Sequence, residues 1–290
     1  MASKLKFSLR RDMTAVKRVL YFPVTKIILG IGFCFSLFVG IQNFVSKPFL
    51  YYIISDKTIA DPLIHGVSVA ILLLGYYIVF RLYDKREITE LSVRYWRKEM
   101  LGGFALGFLT ISLSIAILYA LNYYQFLEIT TAHYSLRLFG LLVVAAFIED
   151  LFFRGIIVRV CENWLGTNAT LVVAMLMETD HLFNPNANLF SVLFILIWGF
   201  TMAMLFVYTK RVWLPFFFHL GWNFAQPFYG SNLTGLDDMG SIIQSKWHGP
   251  ELITGGAVGV EGSIFTTVFL LAIGIILYWL AKKEGKIIER

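Results

Sequence analysis

The chain has 290 residues, of which 58% are hydrophobic and 15% charged, with a formal net charge of +6 and a mean hydropathy of +0.70. Apolar runs recur from end to end, which excludes a soluble globule and marks an integral membrane protein. The basic residues flank those runs instead of forming one patch on a soluble surface, which excludes nucleic-acid binding.

A helix needs roughly 20 mostly apolar residues to cross the hydrocarbon core, and on that measure eight spans follow in chain order, at about 24–45, 63–83, 101–121, 138–160, 168–183, 189–208, 212–228 and 264–281. The expected fold class is an all-α polytopic helix bundle. The fifth and seventh spans are short enough to tilt, thin the bilayer or end inside it. No internal repeat or second soluble domain is present. The chain divides into a basic cytoplasmic segment (1–23), N-terminal transmembrane helices (24–137) and core helices rich in polar exceptions (138–228). An extracytoplasmic glycine-rich loop (229–263) and the last helix with its basic tail (264–290) complete it.

Lys4, Lys6, Arg10, Arg11, Lys17 and Arg18 crowd the start, and basic residues beside a span resist translocation, so the amino terminus belongs in the cytoplasm. Threading eight spans from there puts residues 81–98, Arg154, Arg159, residues 209–211 and the tail on the same side. The expected topology is therefore N-in and C-in, with anionic lipids attracted to the basic face. The first apolar run is long enough to span and lacks a small-x-small site after it, so no cleavable signal peptide is expected. Cys34 and Cys161 provide neither a disulfide framework nor a cysteine metal site. Asn168-Ala-Thr170 and Asn232-Leu-Thr234 are chance matches to the glycosylation pattern, the first falling on the cytoplasmic side.

A charge near the bilayer centre costs about 2.5–3.5 kcal/mol on insertion scales, so ionisable residues within spans are the functional candidates. Residues 147–155 read FIEDLFFRG. Asp150 and Arg154 are one helical turn apart and can pair, while Glu149 points about 100° away from Asp150 and is left free. The alternative is a salt-bridge cluster that locks helix packing. Next, residues 175–184, MLMETDHLFN, place His181 beside Glu178, Asp180 and Asn184. If span five ends early, these residues are simply solvated. Then FFFHLGWNFAQ, residues 216–226, places His219 and Asn223 on one helix face, either for one reacting centre or for helix–helix hydrogen bonding. At 1.5 Å per residue Glu149 lies roughly 15 Å from the cytoplasmic helix ends, His219 roughly 12 Å and His181 roughly 20 Å, depths that permit one cavity.

The other histidines, His65, His133 and His248, read as solvated surface. TGGAVGVEGS, residues 254–263, lacks the Gly-Lys-Ser/Thr of a phosphate cradle and reads as a tight or re-entrant outer loop. Most aromatic residues, 17% of the chain, are expected at the lipid face or in interfacial belts.

The ordered pattern of an acidic pair with Arg four residues on, a His ending an apolar helix, and His-x-x-x-Asn two spans later resembles the CPBP (Abi, CAAX-protease) family of intramembrane endopeptidases. The resemblance covers about residues 138–228, and TGGAVGVEGS looks like the family's outer-loop ending. Its Glu-Glu-x-x-x-Arg falls on Glu149, Asp150 and Arg154, its Phe-x-x-x-His on Met177 and His181, and its His-x-x-x-Asn on His219 and Asn223. Asp150 for Glu shortens the reach, and Met177 for Phe changes the shape of an apolar wall.

The resemblance implies a hydrolase acting on a membrane-associated peptide or protein in a bacterial plasma membrane; nothing in the residues indicates an oligomeric state. No serine or cysteine has a convincing base on a neighbouring span. Glu149 is therefore expected to act as general base on a water, with Asp150 and Arg154 as structural support. His181 would orient that water, and His219 with Asn223 would donate to the oxyanion. This chemistry requires no cofactor. A zinc version would use Glu149, His181 and His219 as ligands with water in the open position. A non-catalytic immunity or scaffold protein and a proton-coupled transporter are the remaining readings.

Overall fold

Away from water, only a helix closes the backbone hydrogen bonds of a segment within that segment, so the apolar runs become helices. The structure is a computed structural model that describes residues 14–130, 136–179, 186, 189–235 and 240–290. After the short α1 (Ala15–Leu20), α2 (Pro23–Ile41) begins on Pro23, where a missing N–H costs nothing, and passes through a π turn into α3 (Lys47–Ile53). Helix α4 (Lys57–Tyr77) is capped by Asp56, whose carboxylate accepts the Thr58 N–H at 2.8 Å, and it ends in a second π turn. Next come α5 (Trp96–Ala120), β1 (Tyr124–Ile129) and α6 (Leu136–Asp150). A π segment, Leu151–Val158, carries α6 into α7 (Arg159–Leu165). Gly166, at φ +81°, then turns the chain into α8 (Thr167–Met177). The remainder is α9 (Leu189–Thr209), α10 (Trp213–Phe228), β2 (Ile243–Trp247), α11 (Glu251–Thr254) and α12 (Ile264–Lys283).

Five described helical stretches are long and apolar enough to cross a membrane: Pro23–Ile53, Lys57–Tyr83, Trp96–Ala120, Phe190–Thr209 and Ile264–Lys283. The expected short spans correspond to α8 and α10, of 11 and 16 residues. Helix α8 ends at Met177, and residues 180–183 of expected span five lie outside the described residues. The helical architecture also carries a small sheet. Strands β1 and β2 pair antiparallel, with Tyr124 opposite Trp247 and a bulge between Phe126 and Glu128. Two loop segments thereby satisfy each other's backbone groups.

Helices α5 and α10 pack backbone to backbone. A Cβ at Gly103 would lie 2.9 Å from the Leu214 carbonyl oxygen, and Cβ atoms at Gly107 and Gly221 would overlap the Phe218 and Phe104 carbonyls. Small residues at this spacing let helices approach where lipid gives no hydrophobic drive to associate. Individual aromatics depart from the expectation that most of them face lipid or the interface. Trp222, Tyr76, Phe80, Phe147, Phe206 and Phe218 are all fully buried, because interior packing is denser than contact with lipid tails.

The basic segments converge on one end of the bundle. Lys26 pairs with Asp84 (2.5 Å), Arg159 with Glu90 (3.4 Å) and Lys210 with Glu162 (2.6 Å), while Arg86 pairs with Glu90 and Arg211 with Glu99. The tail joins them through Ile288 N–H on Thr167 Oγ1 at 2.8 Å. Glu90 lies between two spans. Burial alone would raise its pKa, but the Arg86 hydrogen bond and the charges of Arg159 and Arg86 hold it below the usual value. Arg154 does not join this basic end, since its side chain is 1% exposed within the bundle. His65 is not solvated either: it is half-buried and packs where Gly140 leaves no Cβ in its way. His248 is exposed, as expected, and His133 lies outside the described residues.

Candidate active site

Helices α6 and α10 cross with their polar residues facing each other. Asp150, the last residue of α6, is fully buried, and its carboxylate accepts from His219 Nδ1–H at 3.0 Å. Glu149 comes from the same turn and brings Oε2 to 3.7 Å from His219 Nε2. Despite the 100° offset, both acids reach His219. The imidazole lies between them and presents one nitrogen to each. The two acids differ in access, for the Glu149 side chain is 32% exposed and the Asp150 side chain 1%. Glu149 is the carboxylate that a water molecule or a substrate can reach.

Arg154 Nε lies 3.4 Å from Asp150, the expected one-turn pair. Its Nη2 also donates to Glu178, a contact that the sequence reading missed. Although α8 ends at Met177, Glu178 is 1% exposed and belongs to the buried charge cluster, not to solvent. A charge in this setting is retained only where it is paired and hydrogen-bonded, and the single guanidinium serves both acids. Asp180, His181 and Asn184 lie outside the described residues.

The π segment that follows Asp150 has a structural partner. A π turn withdraws carbonyls from the regular ladder and recurs at functional sites. Here the Gly155 carbonyl accepts from Arg159 Nε at 3.2 Å, and the Tyr76 hydroxyl stands 2.7 Å from it. That hydroxyl also meets the Glu90 carboxylate and accepts from Arg86 Nη2 at 3.1 Å. The helix carrying Glu149, Asp150 and Arg154 is thus tied to α4 and to the basic loop after it.

On the other side of His219, the Trp198 ring packs edge-on at 5.1 Å and meets Trp222 at a tilt of 52°, also at 5.1 Å. These rings wall a cavity of about 40 Å³, enough for a water or two. Ser191, Phe194, Ile195 and Trp198 line it from α9, His219, Trp222 and Asn223 from α10, and Thr234, Val258 and Glu261 from the outer loops. Asn223 has no side-chain hydrogen bond among the described residues, so its amide is free for a ligand in the cavity. Glu261, buried in the TGGAVGVEGS loop, accepts from Gln226 Nε2 at 2.8 Å and Trp222 Nε1 at 3.3 Å. The lone acid among those glycines is the signal that would have found it.

No group of three or more His, Cys, Asp or Glu side chains suited to a metal ion occurs among the described residues, and His181 of the expected zinc set lies outside them. Glu149 and His219 converge as two ligands of one ion would, and Asp150 behind Nδ1 resembles the carboxylate that orients a ligating imidazole.

Residues 131–225 match the Rce1-like family, described as type II CAAX prenyl endopeptidase Rce1-like. The matched stretch contains all three polar motifs and supports membership of the CPBP (CAAX-protease) family, a family of membrane proteases. The apolar helices mark an integral membrane protein, and over this third of its length the chain is similar to CAAX-type endopeptidases. No curated protein and no solved structure matches the chain.

Proposed function

We propose that the protein is an intramembrane endopeptidase in which Glu149 activates water against a peptide bond of a membrane-associated peptide or protein. Glu149 accepts a proton as the water oxygen bonds to the scissile carbonyl carbon. Asn223 Nδ2–H and His219 Nε2–H donate to the resulting oxyanion. Collapse breaks the C–N bond, and the proton held by Glu149 passes to the departing amine. Asp150 and Arg154 position His219 and the helix, and His181 orients the water. The reading rests on one observation: the accessible Glu149 carboxylate lies 3.7 Å from His219 Nε2, while Asp150 occupies the other ring nitrogen.

The test compares peptides in membranes of cells carrying wild-type and Glu149→Gln protein. Fragments present only with wild type support the proposal and reveal the substrate. Identical peptide sets with an intact phenotype would instead favour a non-catalytic immunity or scaffold role.

A second reading has support in the same geometry. With Asp150 on Nδ1–H, a neutral His219 presents a lone pair from Nε2 beside Glu149, which suits a zinc ion held by Glu149, His219 and His181. Such an ion would supply Lewis-acid activation of water. Elemental analysis of purified protein, with cleavage measured after chelation and after metal return, separates the two readings.

A further inference from the structure

The basic loop after α4 contributes a second feature, far from the site in chemistry and close to it in packing. A groove of about 670 Å³ opens where α5 and α10 begin, lined by Val93, Arg94, Tyr95, Trp96, Arg97, Lys98 and Trp213. Three of these residues are cations and none is an acid. Glu99, the nearest carboxylate in sequence, is buried and engaged by Arg211, so it leaves the groove's charge unbalanced. Arg94 rests on the Tyr95 ring, at 5.3 Å, and Arg94, Arg97 and Lys98 are all exposed.

The remaining wall is aromatic and apolar. Val93 is 71% exposed and Tyr95 41%, and the Trp213 indole nitrogen is a buried donor with no hydrogen-bond partner among the described residues. Cations mixed with Trp and Tyr at the end of a spanning helix are what the headgroup layer of a bilayer selects. A soluble anion would satisfy the arginines and leave Val93 and the rings in water. A phospholipid satisfies both, with its phosphate on the cations and its glycerol and upper acyl region on the rings.

We infer that this groove binds the headgroup phosphate of an anionic glycerophospholipid. The position gives that lipid purchase on the catalytic helices. Trp213 opens α10, which carries His219 and Asn223, and its ring stacks near Phe147, two residues before Glu149 (6.3 Å, 29°). Arg211 ties α10 to α5 through Glu99, and Gly103, Gly107 and Gly221 hold those two helices in contact.

The experiment is a lipid titration of the full-length protein in detergent, read by native mass spectrometry. Phosphatidylglycerol and phosphatidylcholine of matched chains are compared, with inorganic phosphate in a third arm. Wild type should prefer phosphatidylglycerol, and the triple variant Arg94→Gln, Arg97→Gln, Lys98→Gln should lose roughly ten- to hundred-fold of that affinity. Lys282→Gln with Lys283→Gln, at the end of α12, should leave it unchanged. An undiminished preference in the triple variant, or an equal loss in the Lys282/Lys283 control, overturns the site. Displacement of the lipid by millimolar inorganic phosphate overturns the lipid as its occupant. None of these outcomes depends on whether the protein cleaves peptides.

Discussion

Replacing Arg154 with Met tests the charge architecture of the site most severely. One guanidinium, 1% exposed, stands between Asp150, 3.4 Å from Nε, and Glu178 on Nη2, whose side chains are 1% and 2% exposed. Removing one partner of a buried pair costs about 3–5 kcal/mol, because the surviving charge keeps its desolvation penalty without its compensation. Two carboxylates lose the same cation here. The effect therefore belongs near the top of that range, at about 5 kcal/mol, offset only by the hydrogen bond that Asp150 keeps with His219. Neutralising Glu178 in the same molecule relieves part of the frustration. The double variant Arg154→Met, Glu178→Gln should fall short of the sum of its singles by about 1–3 kcal/mol. Unfolding by SDS in mixed micelles, followed by tryptophan fluorescence and helical circular dichroism, measures both quantities. A loss below about 1 kcal/mol for Arg154→Met, or additivity within about 0.5 kcal/mol, would refute the shared-cation account.

Further outcomes follow from individual contacts. Gly107→Ala drives a Cβ into the Phe218 carbonyl and should cost about 1–3 kcal/mol in the same unfolding assay, with a drop in cleavage because α10 must shift. Tyr76→Phe removes the hydroxyl between Gly155 and Glu90 and should cost about 1–3 kcal/mol; an unchanged midpoint would dissociate the π segment from that contact. Asn223→Ala removes one oxyanion donor and should lower kcat by about 10²–10³ while KM changes little, a split read from steady-state kinetics on a cleaved peptide. Glu90 has a folded pKa below its ordinary 4.5, so its contribution is present above that pH and disappears as pH falls through the lower folded value. Midpoints compared at pH 7 and below pH 4 should show a smaller acid-induced loss in Glu90→Gln than in wild type.

Hydropathy located the helices well, because each apolar run must close its own backbone hydrogen bonds whatever its neighbours do. The local pair Asp150–Arg154 was legible for the same reason, being one turn apart on one helix. The approach of Glu149 to His219 was not legible from spacing. Helix angles separate it from Asp150, yet an imidazole between two helices has nitrogens on both sides and gathers both acids. Glu178 and Glu261 reach the site from 24 and 39 positions away from their partners Arg154 and Trp222, and no spacing rule reports such contacts. Strands β1 and β2 are likewise brought together only by the bundle. The family match stops at residue 225 and begins at 131, so the Glu261 loop and the Val93–Lys98 wall of the basic groove lie outside it.

The central claim is that Glu149 activates the attacking water. Purified wild-type and Glu149→Gln proteins, each in proteoliposomes with a membrane peptide identified as cleaved in cells, test it most directly. Loss of a general base lowers turnover by about 10²–10⁴, and the account predicts a loss of that size with an unchanged SDS midpoint. Cleavage by Glu149→Gln within about ten-fold of wild type would contradict it.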